Sequence, residues 1–239
     1  MTHDALLARA REVWLEMAGV PMAFPADGGV AVAASGRSQL CPPGWVGIVA
    51  LGDAAIVTVP TERWVGIVRT ALLGLPIEVL TDSERLGALL PVVEVLGPAS
   101  LAYLDRGDFR PAGLATVEVV PGEDPDLAEF LAAVTVDDAD ESGLVDITSG
   151  AFVARRGDHV VAAAGYRHWP GSVAHMCVLT KLEQRGRGLA RAVASAAVAD
   201  SLEARLLPQW RARPESSRRV ARALGFRQLG AQLSIRLEP

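Results

Sequence analysis

The stretch Arg185-Gly186-Arg187-Gly188-Leu189-Ala190 decides the fold of this chain, because two glycines in it join a predicted strand to a predicted helix. The strand covers residues 172–180 and the helix residues 189–202. Glycine lets backbone N–H groups approach a ligand, and the first helical turn offers unpaired donors at the positive end of the dipole. The pattern therefore predicts a phosphate-binding loop. An ordinary strand-to-helix turn with solvated arginines is the alternative.

The residues around the loop exclude two common phosphate-binding motifs. A P-loop ends in Gly-Lys followed by Ser or Thr, whereas this stretch ends in Gly188-Leu189-Ala190. A dinucleotide-binding loop follows the first strand of its domain and has an acidic residue about twenty positions later. The present loop lies late in the chain, and the segment after it follows a different pattern.

That later segment carries a second motif. A predicted strand at residues 206–211 is followed by Pro214-Glu215-Ser216-Ser217, a predicted helix at 218–224, and Gly225-Phe226. In order and spacing, the two motifs resemble those of the GNAT superfamily of acyl-CoA-dependent N-acyltransferases. The family signatures are Arg/Gln-x-x-Gly-x-Gly/Ala, and a strand followed by Asn-x-x-Ser/Ala and a helix ending in Leu-Gly-Phe. The resemblance covers about residues 114–239.

The resemblance implies an α/β (α+β) fold with a mixed, mostly antiparallel central sheet flanked by helices. We place this acetyltransferase domain at residues 114–239, where the predicted element order is that of a GNAT core. Residues 1–110 predict a smaller α/β domain of unknown role that precedes it. This domain is either an unrelated unit or a degenerate GNAT-like copy, and no sequence repeat shows the latter. It could shape the acceptor site, cover it or mediate homodimerisation.

Hydrophobic periodicity and turn residues predict the elements of both domains. In the first domain, helices are predicted at 5–18, 63–73 and 85–90, and strands at 30–34, 45–50, 54–59 and 99–104. In the second, the further strands are predicted at 116–120, 152–156, 160–166 and 232–237, with a helix at 124–133 and an acidic loop at 136–143.

The resemblance also implies acetyl-CoA as a co-substrate. In the family, the end of a central strand binds the pantetheine arm through its backbone, and the glycine loop surrounds the pyrophosphate. Because that recognition needs no particular side chain, an ordinary apolar strand also explains the strand residues. The residues assigned to the cofactor in this way are Val178, Leu179, Thr180, Arg185, Gly186, Arg187, Gly188, Leu189, Ala190, Arg191 and Ser217.

The expected reaction is direct attack of a primary amine on the thioester in a ternary complex. A base or water relay helps at neutral pH, because amine pKa values lie near 8–10. His175, in the cofactor-binding strand, and Glu141, in the acidic loop, are the two candidates. The alternatives are a strand histidine bonded to a neighbour and a solvated charge run. The acidic loop favours a cationic acceptor, and Trp169, Trp210 and His168 could line its pocket or simply pack.

Two departures from the family pattern support a second hypothesis. Pro214 occupies the position of the motif asparagine, and Ala221 that of the tyrosine that commonly protonates the departing thiolate. Neither of the two tyrosines, Tyr103 and Tyr166, is placed to substitute. The alternative function is therefore a catalytically reduced, acyl-CoA-binding or regulatory protein. We do not expect Cys177 to carry the acyl group, because relatives transfer it directly.

Composition narrows the class of protein further. Half of the 239 residues are apolar, and only two cysteines are present, which argues for a reducing cytoplasm and against a metal cluster. No apolar run is long enough to predict a membrane span. Residues 180–239 contain 12 Lys/Arg and 5 Asp/Glu, which suits a ligand with several phosphates. Since no aromatic residues are interleaved with Arg218, Arg219 and Arg222, we do not expect nucleic-acid binding.

Overall fold

The computed structural model describes residues 3–113 and 116–238. By packing, the chain divides into two compact units. We call Met1–Ala102 with Gln228–Pro239 unit 1, and Tyr103–Arg227 unit 2. The final strand therefore packs within unit 1, although the family resemblance places it in the second domain. Residues 114 and 115, where that domain was predicted to begin, lie outside the described residues, and the functional division at 110–114 stays a prediction.

Unit 1 is a mixed sheet with helices, as its sequence predicts. Its helices are α1 (His3–Met17), α2 (Glu62–Leu72) and α3 (Ser83–Gly87). Its strands are β1 (Gly29–Ala34), β2 (Val46–Leu51), β3 (Ala54–Val59), β4 (Val92–Tyr103) and β10 (Arg227–Leu237), in the spatial order β1-β3-β2-β10-β4. The last residue of β4 and the first of β10 belong to unit 2.

Apolar side chains hold unit 1 together. All residues of β2 and β3 are buried, as expected for strands covered on both faces. Trp64, Val68 and Leu72 recur on one face of α2 at helical spacing and join the same core cluster. The prediction for β4 was wrong at its start, because the observed strand begins at Val92. The first part of the strand contains exposed residues, a glutamate and a Gly-Pro pair. It therefore lacks the hydrophobic pattern by which a strand is predicted.

Unit 2 contains the segment with both sequence motifs. Its strands are β5 (Glu118–Val120), β6 (Ala151–Arg156), β7 (His159–Trp169), β8 (Val173–Thr180) and β9 (Leu207–Ala212), in the order β9-β8-β7-β6-β5. Its helices are α4 (Pro125–Ala132), α5 (Val136–Ser142), α6 (Leu189–Glu203) and α7 (Glu215–Ala223). The pairs β5–β6, β6–β7 and β7–β8 are antiparallel, and β8–β9 is parallel. The predicted mixed, mostly antiparallel fold is confirmed.

The core of unit 2 explains why these segments meet. Ala192, Val193 and Ala197 are buried on α6, which packs against β6, β7 and β8. Leu127 and Phe130 of α4 pack on the same core cluster as Cys177 and Leu179 of β8. The acidic loop predicted at residues 136–143 is instead α5. The hydroxyl of Thr135 caps this helix by accepting from the N–H of Asp138, a signal that a run of charges obscured.

Candidate functional site

The strands β8 and β9 separate halfway along their length. Their parallel register covers three residue pairs, of which the last joins His175 to Gln209. Beyond this point β8 continues to Thr180 and β9 to Ala212. On its other side, β8 stays paired with β7 as far as Thr180. The separation therefore leaves the β9-facing backbone edge of residues 176–180 available to a ligand.

A cavity of about 510 Å³ occupies this opening. Its size lies in the range of small-molecule sites. The ends of β8 and β9, the glycine loop, the start of α6, α5 and α7 all contribute to its wall. Of the eleven residues assigned to the cofactor from sequence, only Arg187 does not line it. The ten that do are Val178, Leu179, Thr180, Arg185, Gly186, Gly188, Leu189, Ala190, Arg191 and Ser217.

The glycine loop has the backbone geometry expected of an anion-binding turn. Gly188 precedes the first residue of α6 with φ of +78°, a conformation that side chains disfavour. No side chain caps this helix, so its first N–H groups are open toward the cavity wall. A Cβ placed on Gly186 or Gly188 would meet no protein atom within 4 Å. The space beside both glycines is therefore free for a ligand.

Two buried polar atoms in the wall lack a protein partner among the described residues. They are the hydroxyl oxygen of Thr180 and Nε of Arg191. Buried polar groups in native proteins are nearly always hydrogen-bonded. These two atoms therefore point to a polar ligand between the end of β8 and the start of α6.

Arg185 connects three parts of the wall. Its Nη2 lies 2.9 Å from the Asp138 carboxylate on α5, and its Nε donates to the Thr180 carbonyl at 3.2 Å. The sequence predicted Arg185 as a phosphate contact and gave no indication of its pairing with Asp138. The signal that could have found it is the spacing of Asp138 and Glu141, which places both on one face of a helix.

Glu141 lines the cavity as well, and it pairs with Arg213 just after β9. Both acidic side chains that α5 contributes to the wall are therefore bound to arginines. This pairing weakens the expectation that the segment attracts a cationic acceptor, because an arginine beside each carboxylate offsets part of its charge.

His175, the other candidate base, lies outside the cavity lining. Its ring stacks on Trp169 with centroids 4.2 Å apart, and its Nδ1 is 2.5 Å from Oε1 of Gln209. Burial, together with the charge of Arg211, lowers the pKa of His175 to about 3. These contacts match the alternative considered from sequence, a strand histidine bonded to a neighbour.

Of the three residues considered for the acceptor pocket, some line the cavity and some do not. Trp210 lines the cavity, whereas Trp169 and His168 do not. The imidazole of His168 is instead 2.7 Å from the hydroxyl of Thr148. Burial raises the pKa of Cys177 to about 12, which keeps its thiol protonated and unsuited to nucleophilic attack. In the described part of the chain, no group of acidic, histidine or cysteine side chains could hold a metal ion.

Residues of the second motif form part of the cavity wall and pack around it. The indole N–H of Trp210 donates to the hydroxyl of Ser217 at 3.0 Å, so Ser217 both lines the cavity and orients its wall. Gly225 has φ of +98°, and a Cβ there would lie 2.0 Å from the Asp108 carbonyl oxygen. Only glycine fits this close approach, which explains the glycine of the Leu-Gly-Phe pattern. Ala221, where relatives have tyrosine, is buried.

Sequence reasoning missed several wall residues. Met176, Arg211 and Arg219 lie near positions that the motifs specify, but no motif names them. Apart from Asp138 in the predicted acidic loop and Ser216 in the second motif, the side chains not foreseen are Ser142, Met176, Gln184, Arg211, Arg219, Val220 and Ala223.

Comparison with known proteins agrees with this geometry. Residues 148–231 match the family model of the GNAT acetyltransferases, which confirms the resemblance for that segment, about a third of the chain. No curated protein matches the sequence. None of the helices within residues 3–113 and 116–238 is both long and apolar enough to cross a bilayer.

Solved structures share the fold at low sequence identity. A GCN5-related N-acetyltransferase-like protein from Streptococcus suis is 15% identical with a TM-score of 0.51, and the match covers 99% of this chain and 100% of that one. A GCN5-related N-acetyltransferase from Kribbella flavida is 18% identical with a TM-score of 0.50, covering 64% and 62%. The chain thus spans less than two thirds of the Kribbella protein, and 65% of a GNAT-family structure from Novosphingobium aromaticivorans.

Proposed function

We propose that unit 2 transfers an acetyl group from acetyl-CoA to a primary amine in a ternary complex. The observation that carries this proposal is the cavity between the separated strands β8 and β9, with the uncapped start of α6 in its wall. The pantetheine arm of coenzyme A would hydrogen-bond to the free strand edge. Its pyrophosphate would bind at the helix N-terminus. The match of residues 148–231 to the GNAT acetyltransferases supports the same reaction class.

The residues present fit coenzyme A at several points. The backbone of Val178, Leu179 and Thr180 would hold the pantetheine arm. The open space beside Gly186 and Gly188 would admit the pyrophosphate, which the N–H groups at the start of α6 would bind. The unpartnered Thr180 hydroxyl and Arg191 Nε would gain acceptors.

Acetyl-CoA would supply an acetyl group activated as a thioester. The amine nitrogen forms a bond to the carbonyl carbon, the carbon–sulfur bond breaks, and the proton lost by the amine balances the proton gained by the thiolate. Of the two candidate bases, Glu141 lines the cavity and would accept the amine proton directly or through water. His175, whose pKa is about 3, binds a proton weakly and would instead fix Trp169 and Gln209.

No tyrosine is placed to protonate the leaving thiolate. Tyr103 is fully buried, and the hydroxyl of Tyr166 donates to Asp200 at 2.7 Å. Neither lines the cavity. We therefore propose that solvent supplies this proton. The two free cysteines, Cys41 and Cys177, support a reducing compartment such as the cytoplasm as the place of the reaction.

A specific observation favours a second candidate, an acyl-CoA-binding protein with little catalytic activity. Pro214 and Ala221 replace the asparagine and tyrosine that the family resemblance leads one to expect. Full-length protein incubated with acetyl-CoA and a panel of amines distinguishes the two, with free thiol and acetylated product as readouts. Thiol release that depends on an amine supports transfer. Tight binding of acetyl-CoA without thiol release favours the second candidate, and no binding by calorimetry overturns both.

A further inference from the structure

The charges in the cavity wall are unevenly distributed. Four arginines and two carboxylates line it. Both carboxylates are engaged, Asp138 by Arg185 and Glu141 by Arg213. The wall therefore favours anionic groups. The four arginines are Arg185, Arg191, Arg211 and Arg219.

Three of these arginines lie where the phosphates of coenzyme A are expected. Arg185 and Arg191 belong to the glycine loop and the first turn of α6, and Arg219 is on α7 after the second motif. Charge-assisted bonds from these positions suit phosphate oxygens. The fourth, Arg211, belongs to a different part of the wall.

The strand register places Arg211 near the acyl end of the proposed cofactor site. Gln209 is the last β9 residue paired with β8, opposite His175. Continuing that parallel register brings Arg211 level with Cys177, which is about 10 Å along the strand before Thr180. The arm would run from the glycine loop past Thr180 and Val178, so its reactive end lies beside Arg211.

The surroundings of Arg211 keep its guanidinium in place. Its central carbon lies 5.8 Å from the centroid of the Trp169 ring, and that ring also stacks on His175. Arg211 is exposed and lines the cavity.

We propose that the acceptor is an amine that also bears a carboxylate, of the α-amino acid class, and that Arg211 binds this carboxylate. The inference rests on the proposed function. A planar guanidinium matches a carboxylate in a two-bond geometry. A single arginine at this end suits one negative charge. The carboxylate would hold the neighbouring nitrogen toward the thioester carbon.

The test compares acceptors that differ only in the carboxylate. Phenylalanine is compared with phenethylamine and with phenylalanine amide, and lysine with cadaverine. We expect wild-type kcat/KM to be roughly 10- to 100-fold higher for the amino acids, the range of a charge-assisted hydrogen bond. Arg211→Gln should raise KM for the amino acids by a similar factor, leave KM for acetyl-CoA within about twofold, and leave the plain amines unaffected. Arg211→Lys should restore part of the preference.

Arg156→Gln, in the exposed end of β6, is the matched control and should behave like wild type. Retained binding of coenzyme A by Arg211→Gln shows that the variant is folded. Equal or better transfer to amines without a carboxylate overturns this inference and leaves the proposed function standing. An unchanged amino acid preference in Arg211→Gln also overturns it. Absence of transfer to every acceptor overturns both proposals.

Discussion

The two units differ in how completely their neighbouring strands are paired. In unit 1, β1 pairs with β3 along six residues, and β2 pairs with β10 along six residues. Strands β2 and β3 pair along five residues. In unit 2, β8 and β9 pair along three residues and then separate. The first arrangement satisfies its backbone internally and closes around apolar side chains. The second leaves backbone groups and buried polar atoms to be satisfied by a ligand. Incomplete pairing therefore marks the site that we propose for the cofactor.

The change with the largest expected effect is Gly188→Glu. The new carboxylate would enter the space proposed for the pyrophosphate, and like charges in contact cost several kcal/mol. We expect acetyl-CoA affinity to fall on the order of 1,000-fold, about 4 kcal/mol, by calorimetry. The free energy of unfolding should fall only by the cost of left-handed backbone strain, about 1–2 kcal/mol, because a side chain at this position meets no protein atom within 4 Å.

Gly74→Glu in unit 1 is the matched control for this comparison. Gly74 has φ of +76°, against +78° at Gly188, and its surroundings are equally open. The two substitutions therefore share the same backbone strain and differ in location. Equal loss of affinity in both variants would show that strain, rather than the ligand site, causes the effect.

The next largest effect is a loss of stability when a glycine in close contact with a backbone carbonyl is replaced by alanine. Gly225→Ala in unit 2 would place a Cβ 2.0 Å from the Asp108 carbonyl oxygen at φ of +98°. Left-handed strain and overpacking together should lower the free energy of unfolding by about 3 kcal/mol. Gly230→Ala in unit 1 would place a Cβ 1.8 Å from the Ala50 carbonyl oxygen, but Gly230 has no positive φ. We therefore expect the free energy of unfolding to fall by about 2 kcal/mol.

Denaturant unfolding of both variants measures these costs, with Gly107→Ala as the control. Gly107 lies beside Asp108, has no atom within 4 Å of its Cβ position and no positive φ. A wild-type midpoint for Gly225→Ala would contradict the packing described for unit 2. Equal costs for the two strained positions would show that backbone conformation adds nothing to the clash.

The smallest of the three effects is a pH dependence that originates in β8. Strands β2 and β3 of unit 1 contain no titratable side chain, whereas β8 contains His175. The pKa of His175 is about 3 in the folded protein, and its ordinary value is 6.5. Between these values the unfolded chain binds the proton and the folded chain does not. Stability is therefore present above pH 6.5 and is lost as the pH falls toward 3, by about 2 kcal/mol at pH 5.

Unfolding free energies measured from pH 7 to pH 5 test this prediction. His175→Gln should remove this part of the pH dependence, since glutamine stays neutral. His159→Gln replaces an exposed histidine and should keep the wild-type profile. A His175→Gln profile parallel to that of wild type would assign the pH dependence to other groups.

Sequence patterns predicted most of unit 2 because each signal is local. A glycine needed for positive φ at position 188, an apolar run before it and an alanine-rich helix after it identify the strand–loop–helix arrangement without reference to the rest of the chain. Ten of eleven assigned cofactor residues line one cavity for the same reason. Nine of them follow one another along a single turn and its flanking elements, and Ser217 belongs to the second motif.

The contacts that the sequence did not predict depend on partners distant in sequence. Glu141 and Asp138 were treated as a charged loop, yet α5 orients them toward Arg213 and Arg185. His175 was a candidate base, yet Trp169 and Gln209 enclose it. Nothing local in the sequence specifies these contacts.

The amino-acid sequence by itself determined the strand–glycine loop–helix motif, its second motif and the resemblance of unit 2 to GNAT acetyltransferases. These properties follow from φ restrictions, helix ends and short-range periodicity. Only the tertiary structure decided which charges in the cavity are paired, where β8 separates from β9, and that Arg211 lines the cavity. Ion pairing, burial and strand register depend on residues brought together from separate elements, and those decide how each side chain is charged and what it can bind.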